Sequence, residues 1–186
     1  NSIKKDGFYK DSFFVCDNNN IILDGAHRLA CSIYFQLDIN FLNLNINGHK
    51  LDYNYFRKNG FKECYLDYMA YEYAKIKDNV FMVLIWPRAN GYETEINQIL
   101  NKYGKIIYHK NVKMNESGMV QLMKIAYSDE KWLGNNKNDF EGARNKAKWC
   151  YGKHGNLRVF LFESDKCLIE MKEKIRIVFN VEKHAV

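Results

Sequence analysis

Proline is all but missing from this chain. It occurs once, at Pro87, so no proline-rich linker divides the sequence. Long apolar runs are missing too: the longest uncharged one covers residues 80–86, far short of the ~20 residues that span a bilayer. No apolar stretch follows the charged start, which argues against a secretory signal. No block of five like charges occurs, which excludes a basic or acidic tail. The five cysteines (Cys16, Cys31, Cys64, Cys150 and Cys167) are odd in number, and no two are spaced CxxC. That speaks against a disulfide framework or a zinc knuckle and for reduced thiols in the cytoplasm. No internal repeat is visible.

What is there is the composition of a folded protein. Of 186 residues, 47% are hydrophobic, 15% aromatic and 27% charged, values that exclude a disordered or collagen-like chain. A chain of this length forms one domain or two small ones and buries roughly 70% of its unfolded surface. The net charge of +6, from 28 basic and 22 acidic residues, is carried mostly by lysine and spread along the sequence. It favours phosphate-bearing partners without naming one. The sequence begins at Asn1 and ends within a patterned stretch, so it reads as an ordered piece of a longer chain.

Strand and helix patterns alternate. Residues 12–16 and 21–24 read as strands joined by the Asn18-Asn19-Asn20 turn, because asparagine tolerates left-handed backbone. Residues 25–36 read as a helix, 41–46 as a strand with one wet face, and 53–59 and 64–77 as helices. The pattern restarts after Asp78-Asn79, which places a domain boundary there: 1–78 and 79–186. The second half reads as strand 80–86, helix 92–103, strand 106–109, helix 117–127, a helix capped by Asn138 or Asp139 and running to Cys150, and strand 157–163. Asp165 opens a helix or turn, and 175–181 alternates like a strand. The expected fold class is α/β, mixed with α+β.

The chemistry concentrates in Asp24-Gly25-Ala26-His27-Arg28. A strand ends in Asp-Gly and a helix starts at once. The first N–H groups of a helix lack backbone partners, and its dipole is positive there. Gly25 lets backbone approach a ligand closely. Arg28 offers a fork for phosphate oxygens, and His27 can donate to an oxygen or move a proton. Asp24 can hold Mg²⁺ or take a proton from a hydroxyl. A plain capped turn with a solvated first helical turn is the other reading of the same residues.

The stretch Ser2-Ile3-Lys4-Lys5-Asp6-Gly7, the strand at 13–17, the Asp-Gly-Ala-His-Arg-Leu-Ala run and the strand at 41–46 together resemble the ParB/sulfiredoxin superfamily. The resemblance covers about residues 1–48. It implies nucleotide-phosphate binding at Gly25, Ala26, His27 and Arg28, with Asp24 at the reacting end beside Mg²⁺ and a nucleoside di- or triphosphate. The motif lies nearest the free-serine-kinase branch. Ala26 stands where sulfiredoxins carry a catalytic cysteine, which turns the reading away from sulfinic-acid reduction. No helix-turn-helix of the partition proteins follows. The kinase branch uses a catalytic glutamate from an earlier segment, and no glutamate precedes Glu63 here, so that carboxylate is absent, supplied from upstream of Asn1, or replaced.

In the second half, Arg88, His109, Glu163 and Asp165 sit at or near strand ends, where open α/β sheets bind ligands; they form a candidate second site. Arg144 and Lys148, four residues apart on a helix, could grip phosphate or make a solvated basic face. Trp132 and Trp149 read as core or interface anchors, and His49, His154 and His184 lack metal-ligand spacing. The expected function is a cytoplasmic, nucleotide-dependent phosphotransferase acting on a small hydroxyl-bearing molecule, with no membrane partner. A ParB-like nucleic-acid-binding or nucleotide-switch module, less favoured because the charge is dispersed, and a non-catalytic domain of a larger enzyme are the alternatives.

Overall fold

The computed structural model describes residues 2–7, 12–48, 50–151 and 155–178. The fold is mixed α and β. The chain divides into two compact units, 1–51 and 52–186, rather than near residue 78.

The first unit opens with helix α1 (Ser2–Asp6), ended by Gly7 at φ 71°. Strands β1 (Phe14–Cys16), β2 (Ile22–Asp24) and β3 (Phe41–Asn43) follow, with helix α2 (Ala26–Tyr34) between β2 and β3. The sheet order is β2-β1-β3; β2 runs antiparallel to β1 and β3 parallel to it. Asp17 is fully buried and holds the hairpin turn. Its Oδ1 accepts the N–H of Asn19 and of Ile21, each at 2.8 Å, and its Oδ2 accepts that of Gly48 at 3.1 Å. One carboxylate thereby ties the β1–β2 turn to the loop after β3. Asn20, at φ 59°, takes the left-handed conformation expected of this asparagine run.

The second unit holds helices α3 (Tyr53–Lys58) and α4 (Glu63–Ile76), strand β4 (Val80–Ile85), helix α5 (Glu93–Tyr103) and strand β5 (Lys105–Lys113). Helices α6 (Glu116–Ala126) and α7 (Glu141–Tyr151), strand β6 (Asn156–Glu163) and helix α8 (Leu168–Val178) complete it. Helix α4 belongs here because its side chains bond to this sheet: Tyr108 donates to Asp67 at 2.8 Å and Lys110 to Asp67 at 2.6 Å. Tyr73 donates to Glu163 at 2.8 Å. Those bonds explain why a boundary drawn after this helix differs from the one in the fold.

Sheet order here is β4-β6-β5, with both pairings antiparallel. The βαβ alternation therefore does not yield neighbouring parallel strands, because β6 is inserted between β4 and β5. On one face Val83, Ile85, Phe160 and Phe162 pack against Ile96 and Leu100 of α5 and Met171 and Ile175 of α8. On the other, Trp86 and Leu157 meet Met119 and Met123 of α6 and Ala143 and Ala147 of α7. Small alanines let α7 lie close. Each fully buried large side chain contributes about 1.5–3 kcal/mol. A bulge between Ile106 and Tyr108 shifts side-chain alternation by one. It turns Tyr108 toward α4 and puts His109 and Asn111 opposite Phe160 and Arg158.

Residues 175–178, expected in a strand, form the end of α8 instead, where Met171 and Ile175 face the core at helical spacing. Residues 179–181 of that expectation, and His49, His154 and His184, lie outside the described residues. Asn138 and Asp139 do not begin α7: Asn135 caps a short 3-10 turn, and Asp139 and Phe140, both at φ 50°, separate it from the helix. None of the five cysteines is paired; Cys16 and Cys150 are buried. Among the described residues no helix is long and apolar enough to cross a membrane.

Candidate functional site

In the first unit, Asp24, Gly25, Ala26, His27 and Arg28 line one open pocket of ≈ 400 Å³, with Ile22 and Leu51 among its walls. Gly25 is the N-cap of α2, at φ 88° and ψ 20°. A Cβ there would meet the Arg28 guanidinium at 2.9 Å and the Phe14 ring at 3.1 Å. Both the left-handed backbone and the close approach thus call for glycine. Among the described residues no side chain caps α2, so its first N–H groups remain open to a ligand. Arg28 lies over the buried Phe14 ring, 5.8 Å from its centroid. Its Nη2 is 3.4 Å from Asp24 Oδ2, and the two side chains are 48% and 82% exposed. Such a solvated pair is worth at most about 1 kcal/mol, so a competing anion can draw Arg28 away. His27 is exposed at the same rim.

The candidate second site does not assemble. Arg88 follows the C-terminal end of β4, while Glu163 pairs with Val80 at its start, so antiparallel pairing sends them to opposite ends of the sheet. Arg88 stacks on Trp149, 5.8 Å from the ring centroid. Glu163 accepts from Tyr73 and stands 3.8 Å from Lys77. Burial, then Glu163, pushes the Tyr73 phenol up to about 12. Asp165 accepts from Asn79 at 2.7 Å. Arg144 pairs with Asp139, which takes up the charge that was expected to grip phosphate, and Lys148 is exposed. Trp132 and Trp149 are 45% and 54% exposed, so neither anchors the core; Trp86 does.

His109, of that set, lines a cavity. It lines a ≈ 300 Å³ space with Glu93, Asn97, Asn111, Arg158 and Phe160. Its ring stacks on Phe160, with centroids 4.5 Å apart and planes at 16°. Burial lowers its pKa, with the Asn111 hydrogen bond opposing. Arg158 is only 5% exposed. Its Nη2 donates to the Ala89 carbonyl at 2.9 Å, whereas Nε and Nη1 are buried without a hydrogen-bond partner, as is His109 Nε2. Glu93 Oε1 is 3.8 Å from Nη1, and both Glu93 oxygens accept the Gly91 N–H, at 3.0 and 2.9 Å. Burial works to raise the Glu93 carboxyl, but hydrogen bonds from Gly91 and its own N–H, with the Arg158 charge, bring it below the ordinary carboxylate value. Sequence reasoning named His109 and missed Arg158 and Glu93. The signal for Arg158 was a lone charge inside the apolar run of residues 157–162, where a cation is seldom buried unless paired.

Among the described residues no group of three or more His, Cys, Asp or Glu side chains is placed to hold a metal ion. Asp24 is one accessible carboxylate. That fits Mg²⁺ only where phosphate oxygens and water supply the other ligands, as in many nucleotide sites. Comparison with protein-family models, with curated proteins and with solved structures finds no match to this chain.

Proposed function

We propose that this protein is a nucleotide-dependent phosphotransferase, acting in the cytoplasm on a small hydroxyl-bearing molecule, and that its first unit is related to the ParB/sulfiredoxin superfamily. One observation carries the reading: Asp24, His27 and Arg28 share a pocket with the uncapped start of α2. The open N–H groups and the positive end of the helix receive phosphate oxygens. Arg28, steadied on Phe14, leaves Asp24 to bind the same phosphate. His27 takes the acceptor's hydroxyl proton as the hydroxyl oxygen bonds to phosphorus and the bond to the nucleotide's leaving oxygen breaks. Asp24 would hold Mg²⁺ together with the bound phosphate, and the ion would supply charge neutralisation there. Phosphoryl transfer rests mostly on such positioning.

A thermal-shift screen with ATP, ADP, CTP and GTP, with and without Mg²⁺, tests the reading. At least one nucleotide is expected to raise the melting temperature, and Arg28→Ala to weaken its binding roughly ten- to hundredfold. Asp24→Asn should keep metal-free nucleotide binding and lose Mg²⁺-dependent transfer. If no nucleotide shifts melting while a defined DNA site binds tightly at physiological salt, the nucleic-acid module replaces the enzyme.

A further inference from the structure

We infer that the cavity between α5 and the β5–β6 pair is a binding site for a compact oxyanion, a carboxylate or phosphate on a small polar body, with Arg158 as its anchor. This site lies wholly within the second unit and is separate from the pocket at Gly25.

The inference begins with a buried guanidinium whose hydrogen bonds are incomplete. Arg158 sits on the same sheet face as Phe160 and Phe162, so alternation along β6 drives its guanidinium inward. Burying a guanidinium is costly unless hydrogen bonds and a counter-charge replace its water. Here the replacement is half complete: one nitrogen is bonded to Ala89, and two have no acceptor. Glu93 is the near carboxylate, but both its oxygens are turned to Gly91, and it approaches Nη1 only to 3.8 Å. A ligand oxygen is the missing acceptor.

The walls narrow the class. Neutral amides of Asn97 and Asn111 line the cavity with the stacked His109 and Phe160 rings. They offer hydrogen bonds to a polar body and, among the described residues, no second cation. His109 Nε2 is a further buried atom without a partner, so it can meet a ligand donor or acceptor. At ≈ 300 Å³ the cavity is at the small end of ligand pockets. Glu93, held ionised, repels polyphosphates. The site therefore suits a singly or doubly charged small molecule and disfavours a nucleoside triphosphate.

The test is nitrogen-resolved NMR of the full chain, following Arg158 Nε and His109 Nε2 while succinate, inorganic phosphate or ATP is added. Saturable shifts at both nitrogens with succinate or with phosphate support the site, and the stronger of the two identifies the oxyanion. Arg158→Gln should weaken binding roughly tenfold or more. Since that variant can fail to fold, Asn111→Leu, at an exposed position on the cavity wall, serves as the second: it leaves the guanidinium in place, narrows the cavity and should abolish the shifts. Arg28→Ala should leave them unchanged. The site is overturned if neither anion gives a saturable shift, if Asn111→Leu binds as well as the parent, or if Arg28→Ala is the variant that loses binding.

Discussion

The two units are stabilised by different means. Among the described residues of the first, the buried side chains are Phe14, Cys16, Asp17 and Ser32, and its strands are three residues long. The second sandwiches its sheet between two apolar clusters. Small units bury too little surface to rest on hydrophobic burial alone. In the first, a polar clamp at Asp17 fixes the β1–β2 turn and the loop after β3, and the charged groups of the candidate pocket stay in water. In the second, the core is ample enough to hold a guanidinium with two unbonded nitrogens. In the first unit the buried carboxylate meets three N–H groups, although the buried Ser32 hydroxyl of the same unit is unbonded. Where apolar burial is plentiful, an unsatisfied polar group can be kept for a ligand.

The sharpest way to break this contrast is to truncate one ring in each unit. Phe162→Ala should cost the second unit about 3–5 kcal/mol, read as a fall in urea midpoint. Phe14→Ala removes the one fully buried ring among the described residues of the first unit and the platform under Arg28. Its expected outcome is loss of amide protection across β1–β3 together with loss of nucleotide binding. Retained protection would show that the first unit does not depend on this ring.

Next in size is the clamp. Asp17 is held below the ordinary carboxylate value, foremost by the Ile21 N–H and also by those of Asn19 and Gly48, with burial opposing. A carboxyl depressed by folding contributes stability that is present above its unfolded pKa and lost as pH falls through the folded one. The first unit should therefore lose amide protection under acid conditions. Asp17→Asn should remove most of this dependence and lower stability at neutral pH, because an amide has one acceptor oxygen where three N–H groups need bonds. An unchanged acid profile would move the contribution to another group.

Much of this was legible beforehand. Residues 22–28 fold as strand, glycine cap and helix, as the Asp-Gly-Ala-His-Arg order requires, and they line one pocket. The helices beginning at Tyr53, Glu63, Glu93 and Glu116 follow their apolar periodicity. What stayed hidden depends on pairing between distant strands. The order β4-β6-β5 separates Arg88 from Glu163, and the bulge at Ile106–Tyr108 decides which way His109 faces. Neither is a local property of sequence. Arg158 becomes conspicuous only when its face of β6 is known to be covered by α5.

The smallest effect belongs to the basic pair on α7. Arg144 is half-exposed and engages Asp139, itself largely solvated. An exposed ion pair is worth about 0–1 kcal/mol, and this one closes the left-handed turn at Asp139 and Phe140 before the helix. Arg144→Ala should therefore lower the second unit's stability by less than about 1 kcal/mol, and salt should shrink the difference further. Lys148→Ala, at an exposed position, should change stability less still. Neither should alter nucleotide affinity, because the proposed phosphate contacts lie at Gly25, Ala26, His27 and Arg28. The paired measurement is a salt series of urea melts beside a nucleotide titration. If Arg144→Ala weakens nucleotide binding as much as Arg28→Ala does, phosphate recognition extends onto α7, and the separation of tasks between the two units fails.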